Sequence, residues 1–259
     1  MKIIKLKNSK NIRDIGGVYH NVTLKEGMLI RGRTLTGLSE EDIRILTEEN
    51  HVRTIIDLRS QKEQHEEGEM DIPGVTHLSM PIFESEEKEA PHEEHDKKHS
   101  LDYLNHLPKM EQVYADFLHG ESLENVAKII HKIVTAKDEE YGFYFHCSEG
   151  KDRTGVIAAI LLLMLGVEKK GIYRDYLETN RTNNHKAFKY YMLFKYVKFR
   201  PLFALKAGRA FVARRRYLNV LFNIIKDEYG DEMSFYTKGL HLSNDEIKAF
   251  RKKMIVSKQ

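Results

Sequence analysis

The chain has 259 residues, of which 41% are hydrophobic, and a formal net charge of +3. This length suffices for one α/β domain over residues 1–259, and no run reaches the roughly 18 consecutive apolar residues of a membrane span. So small a net charge argues against nucleic acid as a partner. The lone cysteine, Cys147, precludes an internal disulfide and fits a reducing compartment.

The N-terminus is basic but lacks the continuous apolar stretch and the small-residue cleavage site of a secretory signal. As written, the chain is expected in the cytoplasm. Secretion by a route without a cleavable signal, or trimming of a longer precursor, are the alternatives.

Hydrophobic periodicity predicts alternating strands and helices. One helix begins near Ser39 with Asp42 in its first turn, and another runs from about Ser122 to Lys137 with one apolar face. Short apolar runs predict strands at Arg53 to Leu58, Val75 to Met80 and Tyr141 to Phe145. This alternation is typical of the α/β class, with a mostly parallel central sheet flanked by helices.

Residues 84–106 are dense in Glu, Lys and His, which predicts a charged, mobile surface loop. His92, His95 and His99 are conceivable metal ligands, but no predicted element would hold them in place. We therefore predict no metal site and no cofactor.

The segment 146–155 joins the cysteine to an arginine across five residues, between a predicted strand and an apolar helix from Thr154 to Leu165 that Gly166 closes. Backbone N–H groups at a helix start form an anion site. Such a site would stabilise the thiolate of Cys147, the nucleophile that attacks phosphorus. Arg153 offers a planar fork for two phosphoryl oxygens.

The remaining loop residues would surround the phosphate. The predicted binding residues are Ser148, Glu149, Gly150, Lys151 and Thr154. The Thr154 hydroxyl is placed to bond to the sulfur, and the His146 ring could fix the loop from the strand side.

The order His-Cys-x-x-Gly-Lys-Asp-Arg-Thr-Gly resembles the signature loop of bacterial protein tyrosine and lipid phosphatases, within the tyrosine phosphatase superfamily. Other family motifs occur in the family's order: NIRDIGG at 11–17, RGR at 31–33, IDLRS at 56–60 and DYLETN at 175–180. The resemblance implies a tyrosine-phosphatase-like fold with a helical lid. It also implies hydrolysis of phosphotyrosine and phosphoinositides through a phosphocysteine, with phosphoserine and phosphothreonine as further candidates.

Hydrolysis needs an acid for the leaving oxygen and a base for water. We favour Asp152 for both, because it lies in the loop, as does the acid of the similar myotubularin phosphoinositide phosphatases. Asp57 follows a predicted strand, at the sheet edge where ligands gather, and is the second candidate. Its alternative role is to orient Arg153 or a loop. The chain has no tryptophan and hence no Trp-Pro-Asp loop.

Lys151 adds a second positive charge, which in similar phosphatases accompanies highly phosphorylated head groups; alternatively it is a solvated lysine at the loop rim. Supporting roles fall to Arg59 in the DLRS-like motif and to Asn11, Arg13 and Asp14, which either brace the loop, contact the substrate or serve only turn chemistry.

Residues 181–216 are basic, rich in aromatics and lack Asp and Glu. Lys186 to Phe199 predicts an amphipathic helix that ends before Pro201. Three interpretations stay open: a lid over the active site, contact with an anionic membrane through 186–216, and ordinary packing on the core.

The sequence therefore predicts a cysteine-dependent phosphatase acting on a phosphorylated protein or a phosphoinositide. The alternatives are a non-catalytic module that binds phosphorylated ligands and a sulfurtransferase that carries a persulfide on Cys147. The oligomeric state is not predicted.

Overall fold

The computed structural model of the chain describes residues 1–68, 70–83, 109–197 and 212–256. The predicted loop 84–106, with its three histidines, and residues 198–211 of the basic segment lie outside these ranges. Across the part that is described, no helix has the length and apolar character to cross a membrane.

A mixed sheet of six strands organises the described residues. The strands within the described ranges are β1 (Lys2–Ile3), β2 (Arg13–Asp14), β3 (Gly17–Val18), β4 (Thr23–Leu24), β5 (Leu29–Arg33), β6 (Thr54–Asp57), β7 (Thr76–Ser79) and β8 (Phe143–Cys147). The sheet order is β1-β2-β5-β8-β6-β7, and β3 and β4 form a separate hairpin. The four strands β5, β8, β6 and β7 are parallel, whereas β1 and β2 are antiparallel additions at one edge. The predicted α/β class with a mostly parallel sheet is confirmed.

Helices cover both faces of this sheet. They are α1 (Glu40–Arg44), α2 (Gln61–Glu67), α3 (Met110–Asp116), α4 (Gly120–Val134), α5 (Asp152–Met164), α6 (Lys169–Glu178), α7 (Asn180–Met192), α8 (Arg215–Tyr229) and α9 (Asn244–Met254). Shorter turns follow: π-type Ile45–Glu49, 3-10 Asp138–Glu140, π-type Leu193–Val197, and Glu232–Ser234 running into π-type Phe235–Gly239.

Strand β8 lies at the centre and is buried on both sides. Phe143 and Phe145 pack into the larger hydrophobic cluster, with α4, α5 and α8, while Tyr144 points to a second cluster on the opposite face. Burial on both faces is expected of parallel strands. Helix α5 is buried nearly all round, as its apolar sequence predicts.

The observed starts of helices α1, α4 and α5 and of the central strand lie within two residues of the predicted ones. Ser39 caps α1 through a reciprocal box with Asp42, as predicted. The second predicted helix is displaced slightly, to Gly120–Val134. The central strand extends to Cys147, and α5 begins at Asp152, two residues before the predicted Thr154.

Helix α7 differs from the predicted helix of Lys186 to Phe199. It starts six residues earlier, at Asn180, and passes into the π-type turn Leu193–Val197. Phe188 and Met192 are 63% and 37% exposed. Ordinary packing of this stripe on the core is therefore wrong for these two residues, and the lid and membrane roles stay predictions.

Candidate active site

Cys147 is the last residue of β8, so the central parallel strand delivers the thiol to the carboxyl end of the sheet. It lies beside Arg33 of β5 in the strand register, and only 3% of its surface is exposed. The Thr154 hydroxyl, in the first turn of α5, donates a hydrogen bond to Sγ at 3.2 Å. This bond fixes the position of the sulfur from the helix side.

The loop after Cys147 is held from outside through its carbonyl groups. Asn11 Nδ2 donates to the carbonyl oxygens of Glu149 and Gly150, at 3.0 and 3.3 Å. The Arg31 guanidinium donates to the carbonyl oxygens of Gly150 and Lys151, at 2.9 and 3.4 Å. Two side chains that are distant from the loop in sequence thus fix the backbone of three consecutive loop residues.

This outward anchoring sets the direction of the loop amides. The Thr34 N–H adds a bond to the Ser148 carbonyl at 3.4 Å, so the carbonyls of residues 148–151 are all held outward. In a planar trans peptide the N–H points away from the C=O. The N–H groups of residues 149–152 therefore point to the inner side, where they join the positive end of α5 as an anion site.

Gly150 is required by the loop's close approach to β5. Its φ is +65°, and a Cβ there would lie 2.3 Å from the Gly32 carbonyl oxygen. Both the left-handed backbone and the lack of a side chain are thus needed.

The two anchoring strands carry a buried charge triad beneath the loop. Arg13 of β2 and Arg31 of β5 are cross-strand partners, and Asp175 of α6 bridges them, at 2.7 and 2.6 Å. Burial opposes the charge on Asp175, but the two guanidinium groups outweigh it and lower its pKa. Burial, together with the charge of Arg13, lowers the pKa of Arg31 to about 10.

Arg13 also connects this triad to Asn11. Its guanidinium donates to Asn11 Oδ1 at 2.6 Å and to Thr179 Oγ1 at 3.2 Å. Asn11 and Arg13 thus brace the loop, one of the roles proposed for them. Asp175 was recognised only as part of a motif, because sequence alone does not show that two arginines converge on it.

Arg153 is oriented by a carboxylate that the sequence interpretation missed. Glu63 Oε2 and Oε1 accept from its two terminal nitrogens at 2.5 and 2.8 Å, and Ser148 Oγ donates to Glu63 Oε1 at 2.7 Å. Glu63 lies in the first turn of α2, where it forms a capping box with Ser60. The sequence signal for Glu63 is this Ser-x-x-Glu spacing, which is typical of a capping box. A guanidinium has five N–H donors, enough to bind Glu63 and a phosphate together.

Asp57 orients a loop, one of the roles considered for it, through a pair with Arg59. Its carboxylate is fully buried and accepts hydrogen bonds from the Nε and a terminal nitrogen of Arg59, the shortest at 2.6 Å. Arg59 is held further by Glu67 at 2.8 Å. The hypothesis that Asp57 orients Arg153 is wrong, since Glu63 does so. The pair fixes the turn between β6 and α2, and His146 Nδ1 lies 3.8 Å from Asp57.

Asp152 lies at the start of α5 and keeps part of its carboxylate accessible. Its side chain is 14% exposed, its Oδ1 accepts from the Tyr114 hydroxyl at 2.7 Å, and its Oδ2 lies 3.2 Å from Lys151 Nζ. Lys151 itself is only 4% exposed. The interpretation of Lys151 as a solvated rim residue is therefore wrong.

Asp14 serves turn chemistry. Its two oxygens accept the backbone N–H groups of Gly16 and Gly27, at 2.7 and 2.5 Å. Burial raises its pKa in spite of these bonds. Glu149, one of the predicted phosphate-binding residues of the loop, has its carboxylate Oε1 at 3.4 Å from a terminal nitrogen of Arg33.

Comparison with known proteins agrees with this geometry. The sequence profile of the tyrosine phosphatase family matches residues 4–256. The triple specificity protein phosphatase PtpB of Mycobacterium tuberculosis is 26% identical over 199 residues, which span 70% of each chain. A tyrosine-protein phosphatase of Nostoc commune is 37% identical over 65 residues, which cover 25% of this chain and 21% of the relative.

A match over nearly the whole chain coincides with a buried thiol, a guanidinium and a helix start on one loop. The chain therefore belongs to the tyrosine phosphatase family, and the expected resemblance is confirmed.

Proposed function

We propose that this protein hydrolyses phosphotyrosine and phosphoinositides through a phosphocysteine on Cys147, with phosphoserine and phosphothreonine as further substrates. The observation that carries the proposal is the outward anchoring of four loop carbonyls around a buried thiol, with Arg153 preset by Glu63. A phosphate placed in this loop would meet inward N–H groups and a guanidinium at once.

In the first step, the Cys147 thiolate attacks phosphorus and a sulfur–phosphorus bond forms. The bond from phosphorus to the leaving oxygen breaks, and Asp152 Oδ2 gives that oxygen a proton. Arg153 and the loop amides bind the equatorial oxygens, where charge shifts in the transition state.

In the second step, the Asp152 carboxylate takes a proton from water, whose oxygen attacks phosphorus. The sulfur–phosphorus bond breaks and its electron pair returns to Cys147 as thiolate. The sum is an alcohol or phenol plus inorganic phosphate, with no metal needed by these residues.

Two observations favour a substrate range wider than phosphotyrosine. Lys151 places a second cation in the loop, next to Asp152, where it can meet an additional phosphate of an inositol ring. The mycobacterial relative is named a triple specificity phosphatase.

Profiling the purified protein tests the range directly. Phosphotyrosine, phosphoserine and phosphothreonine peptides and each phosphoinositide are assayed side by side, with Cys147→Ser as the matched inactive control. Hydrolysis of peptides and lipids by wild type alone is expected. Activity on peptides only would remove phosphoinositides from the proposal.

The alternatives give different results in the same assay. A binding module would bind phosphate or vanadate without turnover, and a sulfurtransferase would move sulfur from a persulfide donor instead. Binding of vanadate by Cys147→Ser, together with loss of turnover, is expected, because the loop amides and Arg153 remain.

A further inference from the structure

Two buried tyrosines meet behind Asp152. The Tyr114 hydroxyl of α3 lies 2.7 Å from Asp152 Oδ1 and 2.5 Å from the hydroxyl of Tyr176 on α6. Their exposed fractions are 0% and 1%, and the rings pack edge to face, with centroids 6.3 Å apart. One oxygen of the carboxylate is thus fixed against the protein interior.

The proton positions in the hydrogen bonds that link Tyr176, Tyr114 and Asp152 can be assigned by counting donors. Each tyrosine hydroxyl carries one proton, and an ionised carboxylate only accepts. With no proton on Oδ1, the Tyr114 proton points to that oxygen, and the Tyr176 proton makes the contact between the hydroxyls. Burial, reinforced by the charge of Asp152, raises the pKa of Tyr114 well above its usual value. Tyr114 is thus a neutral donor at any pH at which the enzyme would work.

The second carboxylate oxygen faces the loop. Oδ2 lies 3.2 Å from Lys151 Nζ, and the Asp152 side chain as a whole is 14% exposed. Because the Tyr114 hydroxyl occupies Oδ1, Oδ2 is the oxygen that remains for a leaving oxygen or a water.

We infer that Tyr114 is a positioning residue for Asp152: it anchors Oδ1 so that Oδ2 carries the proton transferred in both steps. The inference rests on the proposed function, in which Asp152 protonates the leaving oxygen. The proton passes between Oδ2 and the leaving oxygen or water, while Tyr114 keeps its own.

A series of aryl phosphates with leaving phenols of decreasing acidity tests this inference. Acidic phenols leave as anions, whereas weakly acidic phenols need a proton from Asp152. Tyr114→Phe should keep kcat/KM near wild type for the most acidic phenol. For the least acidic phenol, kcat/KM of Tyr114→Phe should fall by about tenfold or more. This is part of the roughly 10²- to 10⁴-fold by which a general acid accelerates such a reaction.

Tyr176→Phe is the matched control, because it also removes one buried hydroxyl but leaves the bond to Oδ1. Its leaving-group dependence should parallel wild type. The double variant Tyr114→Phe/Tyr176→Phe removes both partners and leaves no orphaned tyrosine hydroxyl, so it is the safer variant for folding. It should show the same steepened dependence as Tyr114→Phe.

Asp152→Asn separates this inference from the proposed function. Suppose that kcat/KM of Asp152→Asn depends steeply on the acidity of the leaving phenol, while both variants that lack the Tyr114 hydroxyl behave as wild type. That result would overturn the role of Tyr114 and leave the acid role of Asp152 intact. A wild-type dependence in Asp152→Asn would overturn the acid role of Asp152 and the inference with it. An equal loss for every phenol in Tyr114→Phe would show a merely structural effect and also overturn the inference.

Discussion

At the scale of single residues, the loop depends on directed donors rather than on net positive charge. The guanidinium of Arg153 meets both oxygens of Glu63 while it faces the phosphate site. A lysine at the same position would keep the charge but would offer only a compact ammonium without a planar fork.

Arg153→Lys is therefore expected to lose more than tenfold in kcat/KM, or about 1.4 kcal/mol of transition-state stabilisation. The assay uses a small aryl phosphate, and circular dichroism confirms the fold. A smaller loss in a folded protein would argue against a clamp that holds two oxygens.

Glu63→Gln should destabilise the protein by about 3 kcal/mol or more, because it leaves the buried Arg153 charge without its partner. Urea unfolding measures this loss, and saturating phosphate should restore part of it by supplying an anion. Glu67→Gln is the matched control on the same helix, since its partner Arg59 keeps Asp57. Equal effects in the two variants would contradict the assigned role of Glu63.

The sequence indicated most of these residues but not their partners. Cys147, Arg153 and Asp152 follow from the order of residues in one loop, where the chemistry is local. Glu63 lies 90 positions from Arg153, and Tyr114 lies 38 from Asp152. Such pairs are made by packing of separate elements, which local pattern does not reveal.

At the scale of elements, strand β2 and helix α6 together support the loop. Arg13 and Arg31 would repel each other as directly opposed like charges. Asp175 joins them, so the carboxylate of one helix connects two strands to the backbone of the loop.

Asp175→Asn should lower the free energy of unfolding by about 3–5 kcal/mol near neutral pH, because two buried guanidinium groups lose their anion. The pKa of Asp175 is lower in the folded state, so its contribution is present above the usual value of 3.8 and is lost as the pH falls through the folded value. The difference between wild type and variant, from urea unfolding at several pH values, should therefore shrink below about pH 3.8. A difference that stays constant there would contradict the assignment.

Element types were predictable, whereas element ends were less so. The capping box at Ser39 involves only Ser39 and Asp42, three positions apart, and α1 begins directly after Ser39. The two-residue extension of β8 to Cys147 depends on pairing with β5 and β6, which local pattern does not specify. Helix α7 begins earlier than its apolar spacing suggested, since Thr179 and Asn180 link it to Arg13 and Ala213.

At the scale of the whole molecule, the described residues of the basic segment 181–216 differ in their contacts: some pair with other elements and some are exposed. Arg216 pairs with Glu111 at 2.9 Å and Arg215 lies over the Tyr173 ring. Phe188, Met192 and Tyr196 are exposed on α7 and the turn after it. Exposed apolar side chains, with basic residues nearby in sequence, are what binding to an anionic membrane requires.

Arg214→Glu with Arg215→Glu should weaken binding to vesicles of anionic lipid, since each basic residue near such a surface contributes about 1 kcal/mol. Acidic residues at the start of α8 suit its dipole, so the fold should persist. Lys248→Glu with Lys252→Glu on α9 is the control for net charge. Vesicle sedimentation measures binding, and equal loss in both double variants would argue for a nonspecific charge effect.

The central claim is that Cys147 carries the phosphoryl group during turnover. The most direct measurement is rapid acid quenching of wild type and Cys147→Ser during turnover of an aryl phosphate, followed by mass spectrometry of the active-site peptide. The account predicts one phosphoryl group on Cys147 in wild type, and neither adduct nor turnover in Cys147→Ser. Undiminished turnover in Cys147→Ser, or a phosphoryl group on another residue, would contradict it.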